Sequence, residues 1–120
     1  VLAAPVVPLI ESAAGLRAAA DIAAAPGVAA MMFGGGDLSA ELGVALAWEP
    51  LAAARAQLVL AGAGRGIGLI DVPWIELQDA GGLAQETRRA RDLGFTAKAA
   101  IHPAQIDAIN AAFTPSAAEI

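Results

Sequence analysis

Four short, nearly uncharged apolar runs, each followed by a longer alanine-rich stretch, predict an α/β protein built on a parallel sheet. Two further observations support that class. The runs lack the apolar–polar alternation of a half-exposed antiparallel sheet, as expected for strands covered by helices. Each run or its closing loop also delivers one polar residue, in turn Glu11, Asp37, Asp71 and His102. The chain of 120 residues allows one ordinary domain of roughly 100–200 residues, and no linker or low-complexity stretch divides it.

The elements follow in order. Val6–Ile10 is the first apolar run, and Glu11 follows it directly. A helix is expected over about 14–25, ended by Pro26-Gly27, because proline cannot continue the ladder and glycine caps helices. Val28–Phe33 is the second run, closed by Gly34-Gly35-Gly36-Asp37. A long helix from about Pro50 to Ala63 carries its proline near the first turn, where the missing N–H costs nothing. Ile67–Ile70 is the third run and ends at Asp71. Asp79 is placed to cap the next helix, whose Leu83, Thr87, Ala90 and Gly94 share one face while Arg88, Arg89 and Asp92 point away. Thr96–Ile101 is the fourth run, leading into His102-Pro103, a helix of about 104–112 and a break at Thr114-Pro115.

Composition removes several function classes. Hydrophobic residues make up 58% of the chain, but much of that is alanine, which contributes little buried area per residue. A membrane span needs about 20 predominantly apolar residues, and the longest uncharged stretch, Asp21 to Asp37, is interrupted by Pro26, Gly27 and Gly34–Gly36. The absence of cysteine excludes a disulfide scaffold and fits a reducing compartment. Seven basic against twelve acidic residues, with two Trp, three Phe and no Tyr, argue against a nucleic-acid surface, which needs clustered cations and stacking aromatics. No secretory signal opens the sequence. The expectation is a soluble, cytoplasmic α/β protein.

In parallel α/β folds chemistry sits at the carboxyl ends of the strands, so Glu11, Asp37, Asp71 and His102 are expected at one edge. Glu11 and Asp37 follow consecutive strands, and two converging carboxylates repel unless a proton or a cation lies between them. Mg²⁺ commonly takes one or two carboxylates together with waters and substrate oxygens; the competing reading is that each acid caps the following helix. The Gly34-Gly35-Gly36-Asp37-Leu38 segment can turn N–H groups toward an anion or serve only as a tight strand-to-helix turn. It is neither a Walker loop nor a G-x-G-x-x-G fingerprint. Asp71 is read either as a ligand-orienting group or as a partner of loop amides, Asp79 as a cap, and Lys98 as a buried cation paired with an acid. His102, the single histidine, is read as structural or as a support behind the site. No cysteine and no G-x-S-x-G turn supply a covalent nucleophile.

Three segments occur in order: Pro8-Leu-Ile-Glu-Ser-Ala-Ala-Gly15, Phe33-Gly-Gly-Gly-Asp-Leu-Ser-Ala-Glu-Leu-Gly43 and Gly94-Phe-Thr-Ala-Lys-Ala-Ala-Ile-His-Pro-Ala-Gln-Ile106. With Gly68-Leu-Ile-Asp71, Asp79 and Gly82-Leu83 between them, the chain resembles the citrate lyase beta-subunit-like family of the HpcH/HpaI aldolase and citrate lyase superfamily. Ala97 departs from the glycine that this family commonly has before the lysine. The resemblance implies a (β/α)₈ TIM barrel, of which residues 1–120 would be the C-terminal half, strands five to eight, truncated at both ends; such barrels take about 250 residues.

The resemblance implies Mg²⁺ as cofactor, held by Glu11 and Asp37, with backbone N–H groups at Gly35, Gly36 and Asp37 holding a substrate carboxylate. It implies a carbon–carbon lyase that cleaves a β-hydroxyacyl thioester of citryl-, malyl- or citramalyl-CoA type into a 2-oxo acid and an acyl-CoA. The alternatives are a class II pyruvate-type aldolase without CoA and a catalytically idle half-barrel or interaction module. The implied partners are a 2-oxo acid, an acyl-CoA thioester and further copies of the chain in a trimer or hexamer, with no nucleic acid and no membrane. In the family, the arginine that contacts the oxo acid comes from the barrel's first half, so that role is not assigned to Arg17, Arg55 or Arg65. A C-terminal segment reaching a neighbouring subunit in several relatives would begin near Pro115-Ser116-Ala117-Ala118-Glu119.

Overall fold

The computed structural model describes residues 4–118; the ends of the expected unit, Val1–Ala3 and Glu119–Ile120, lie outside the described residues. Four parallel strands form one sheet in sequential order: β1 (Leu9–Ile10), β2 (Ala30–Phe33), β3 (Gly68–Asp71) and β4 (Ala97–Lys98). The helices between and after them are α1 (Ala13–Arg17), α2 (Ala19–Ala24), α3 (Gly35–Leu42), α4 (Trp48–Gly62), α5 (Ala80–Leu93) and α6 (Ile106–Phe113), the last preceded by a 3₁₀ turn at Pro103–Gln105. None of these helices is long and apolar enough to cross a membrane.

The caps are local and explain the boundaries. Ser12 Oγ accepts from Gly15 N at 3.0 Å to start α1, and Asp79 Oδ1 accepts from Gly82 N at 2.8 Å to start α5, as its position before the apolar stripe predicts. Gly94 ends α5 at φ 126°, a conformation that L side chains rarely adopt. His102 Nδ1 accepts from Ala104 N at 3.0 Å and is followed by Pro103, the structural role expected of it. The helix expected over 14–25 is divided at Ala18, whose N–H is shared between Ala14 O and Gly15 O at 3.1 Å each.

The two edge strands are much shorter than their apolar runs. Pro5 and Pro8 carry no N–H, so the first run keeps only the Leu9–Ile10 ladder and an isolated bridge from Val6 to Val28. At the other edge, Thr96 Oγ1 accepts from Leu69 N at 2.9 Å, a side chain taking a backbone partner's place. The larger difference is α3, which sequence reading treated as a glycine loop. Glycine disfavours a helix, but tertiary packing buries Gly35, Leu38 and Ser39 and overrides it.

Alternate strand positions separate the two faces. Ile10, Met31, Phe33 and Leu69 join Leu16, Ala19, Leu38, Leu51, Leu58 and Ala90 in the core between sheet and helices. The neighbouring row, Leu9, Met32, Ile70 and Ala97, runs in register across all four strands on the opposite face and is exposed or half-buried throughout.

Behind the sheet lies a cluster of four charges. Arg55 of α4 and Asp71 of β3 are fully buried, with Nε donating to Oδ1 at 2.8 Å. Lys98 of β4 donates its three N–H groups to Asp71 Oδ2 at 2.8 Å, Glu86 Oε2 at 2.7 Å and the Val72 carbonyl at 2.6 Å. Arg55 Nη2 reaches Glu86 Oε1 of α5 at 3.2 Å. The Arg55 guanidinium also lies 4.5 Å from the Trp48 ring centre and 5.3 Å from that of Phe33. Lys98 thus pairs with acids as expected. Arg55 and Glu86 were not anticipated as partners, although Leu51, Arg55, Leu58 and Gly62 share the buried helical stripe of α4, and an arginine on such a stripe requires an acid.

Removing one member of such a cluster leaves uncompensated buried charge, at a cost of about 3–5 kcal/mol. Asp71→Ala is expected to lose that much in urea denaturation. Glu49→Gln, which breaks an exposed pair with Arg89 at 3.7 Å, should change stability by less than about 1 kcal/mol. Equal effects would show that the cluster does not hold the sheet to its helices.

Candidate functional site

The end of β1 and the start of α3 meet at one point. Gly34 N donates to Ile10 O at 2.7 Å, and a Cβ on Gly34 would stand only 2.5 Å from Glu11 Cβ. Glycine at 34 is therefore required for the two segments to touch. Gly35 answers to packing as well, since a Cβ there would meet Phe33, Val72 and Leu51 at 3.1–3.4 Å. Only Gly36 faces open space. The glycine run is thus first a device for bringing Glu11 beside α3, and only its third member is free for ligand approach.

Glu11 and Asp37 are both exposed and interact directly. A hydrogen bond with the Asp37 side chain, then the Asp37 negative charge and last a small loss of hydration hold the Glu11 carboxyl above its ordinary range. Two carboxylates this close repel, and a proton or a cation between them relieves that repulsion. Asp37 lies in the first turn of α3, whose cap Gly34 offers no side-chain acceptor. The leading N–H groups of Gly35, Gly36 and Asp37 are therefore not taken by a side-chain cap, and the helix dipole favours an anion there.

Of the four polar residues expected at one edge, the structure brings together two. Asp71 is turned to the opposite face of the sheet, where Arg55 and Lys98 hold it. His102 is bonded to its own turn. Among the described residues no group of three or more His, Cys, Asp or Glu side chains is arranged to hold a metal. A two-carboxylate site fits a hard cation that keeps waters and substrate oxygens in its remaining positions, as Mg²⁺ does. It does not fit a metal that draws every ligand from protein.

Two residues of structural importance near the strand ends escaped sequence reading. Gln105 is buried, accepting from Ile101 N at 2.9 Å and donating to Trp74 O at 2.7 Å, which ties the β4–α6 loop to the β3–α5 loop. Glu41 Oε2 accepts from Ala13 N at 2.9 Å, a partner 28 positions away that no local pattern signals.

Residues 2–103 match the HpcH/HpaI aldolase/citrate lyase family. The chain is 39% identical over 118 residues to a (3S)-malyl-CoA thioesterase of Cereibacter sphaeroides, covering 97% of this chain and 41% of that protein. Among solved structures it is similar to RipC from Yersinia pestis, 53% identical with TM-score 0.93, over 96% of this chain and 54% of that one. It is also similar to CitE from Mycobacterium tuberculosis in complex with magnesium, acetoacetate and coenzyme A, 34% identical with TM-score 0.85, over 95% of this chain and 45% of that one. The chain therefore spans about half the length, or less, of these relatives.

The raised Glu11 carboxyl has a defined pH signature. Because the folded chain holds that proton more tightly than the unfolded chain, the stabilisation is full below the unfolded value and is lost as pH rises through the raised folded value. In Asp37→Asn the Glu11 carboxyl resonance should titrate at lower pH than in the wild type, and the gain of thermal stability on acidification through that range should shrink. Identical Glu11 titrations in both proteins would mean that the two side chains do not interact.

Proposed function

The chain belongs to the HpcH/HpaI aldolase/citrate lyase family, and from that premise we propose that it carries the cation and oxo-acid site of a Mg²⁺-dependent carbon–carbon lyase. The proposed substrate is a β-hydroxyacyl thioester of malyl-, citramalyl- or citryl-CoA type. In cleavage the carbinol hydroxyl loses its proton and becomes the oxo group of a 2-oxo acid. The bond to the thioester's α-carbon breaks with its electron pair passing to that carbon, and protonation there gives an acyl-CoA. The observation that carries this reading is the exposed Glu11–Asp37 pair beside the α3 N-terminus.

Each of these groups has a definite task. Glu11 and Asp37 would hold Mg²⁺ and fix its place at the end of β1. The N–H groups of Gly35, Gly36 and Asp37 would orient the oxo acid's carboxylate, with Gly36 leaving room for it. Mg²⁺, when bound, supplies Lewis-acid stabilisation where negative charge develops on the substrate oxygen. Preorganised charge of this kind contributes several kcal/mol to a transition state.

We further propose that residues 1–120 are the C-terminal half, strands five to eight, of a (β/α)₈ barrel. Sequential parallel order supports it, since doubly wound sheets reverse strand order partway. So does the in-register apolar row Leu9, Met32, Ile70 and Ala97 on the face away from the packed core, which a barrel would enclose. The coverage of 41–54% of the relatives agrees in size.

A second reading is favoured by one observation, the name of the Cereibacter relative as a malyl-CoA thioesterase. The same substrate class would then be hydrolysed at its thioester rather than cleaved between carbons. Products separate the two: a lyase releases a 2-oxo acid and an acyl-CoA, whereas a thioesterase releases free CoA thiol.

Magnesium titration of the full-length protein with oxaloacetate or pyruvate tests the site itself. Glu11→Gln and Asp37→Asn should each weaken Mg²⁺-dependent binding by more than the roughly 10–100-fold typical of residues that only orient a ligand. Unchanged binding in both variants would refute the metal assignment.

A further inference from the structure

Each member of the carboxylate pair lies between two cross-links that join the same two segments. Glu11 falls between Ile10 and Ala13, and Asp37 falls between Gly34 and Glu41. Gly34 N donates to Ile10 O at 2.7 Å, closing one end of this frame. Glu41 Oε2 accepts from Ala13 N at 2.9 Å, closing the other. The first link is pure backbone, enforced by the close approach of Glu11 to Gly34. The second depends on a single side chain reaching across 28 positions of sequence.

We propose that Glu41 is a positioning residue for the Glu11–Asp37 pair, holding the segment that carries Glu11 against the helix that carries Asp37. The proposal rests on reading that pair as the cation site. Two ionised carboxylates in an exposed site push each other apart, and the Glu11 segment is the part able to yield, since Asp37 is anchored in α3. A carboxylate accepting from the first N–H of α1 is a charge-assisted bond at a favourable helix end, which opposes that opening. Ser12 is already committed to Gly15 N and cannot substitute. Glu41 is not itself placed as a third ligand, since no such three-membered set exists among the described residues.

Glu41→Gln and Glu41→Ala remove the same charge, but only glutamine keeps an oxygen that can accept from Ala13 N. Their difference therefore isolates the hydrogen bond from the loss of charge. Calorimetric titration of the full-length variants with MgCl₂ should show Glu41→Ala binding about tenfold more weakly than Glu41→Gln, the lower end of what ligand-orienting residues contribute. A role confined to fold stability would shift the melting temperature without separating these affinities, and equal affinities would overturn the proposal.

A second measurement needs no metal. Nuclear Overhauser contacts between the Glu11 side chain and Asp37 should persist in the wild type and Glu41→Gln and disappear in Glu41→Ala. Contacts that persist in Glu41→Ala would overturn the proposal whatever Mg²⁺ does. If the contacts behave as expected but the wild type binds no Mg²⁺, the cation reading fails and the positioning role of Glu41 stands.

Discussion

Four charged side chains with almost no water around them must satisfy one another, and the packing of helices on this sheet is arranged around that requirement. Asp71 and Lys98 are register partners on β3 and β4, Arg55 comes from α4, and Glu86 from α5. Each alone would be costly to bury. Together they are formally neutral, and Lys98 has a partner for each of its three N–H groups. Such a cluster adds little net stability over apolar packing of the same shape. What it imposes is geometry, because a sliding strand or a rotated helix would leave a buried charge without its partner.

The two acidic pairs in this chain have opposite fates for one physical reason. Asp71 and Glu86 are compensated in the interior by two fixed cations, so their charge is already met within the protein. Glu11 and Asp37 are drawn together at the surface with no cation supplied by the described interactions, and their mutual repulsion is relieved only by a proton or an incoming positive charge. That unrelieved charge is why the pair is the candidate site. The fold brings it about with the space saved at Gly34 and the reach of Glu41, and then places a helix start beside it.

Much of this was legible from residue order. The apolar runs located all four strands, Asp79 marked the start of α5, and the PLIES and FGGGD segments directed attention to Glu11 and Asp37. Gly94, expected on the face of α5, ends that helix instead. Helix α3 was not legible, because three glycines hide a helix whose stability comes from burial of Gly35, Leu38 and Ser39. Expecting four polar residues at one edge failed at Asp71 because the edge of a sheet has two faces. One residue of strand register decides which face a side chain meets. Arg55 was set aside as a helix residue outside any motif, yet its spacing from Leu51 and Leu58 placed it on the buried stripe.

The sequence by itself determined the class of fold and the family and singled out the two candidate acids, because these follow from apolar periodicity, local caps and contiguous motifs. Tertiary structure decided which charges would be neutralised and which left open. That outcome depends on contacts such as Lys98 with Glu86, Arg55 with Asp71, and Glu41 with Ala13. Their partners lie 12, 16 and 28 positions apart, beyond the reach of any local pattern, and only folding brings them to hydrogen-bond distance.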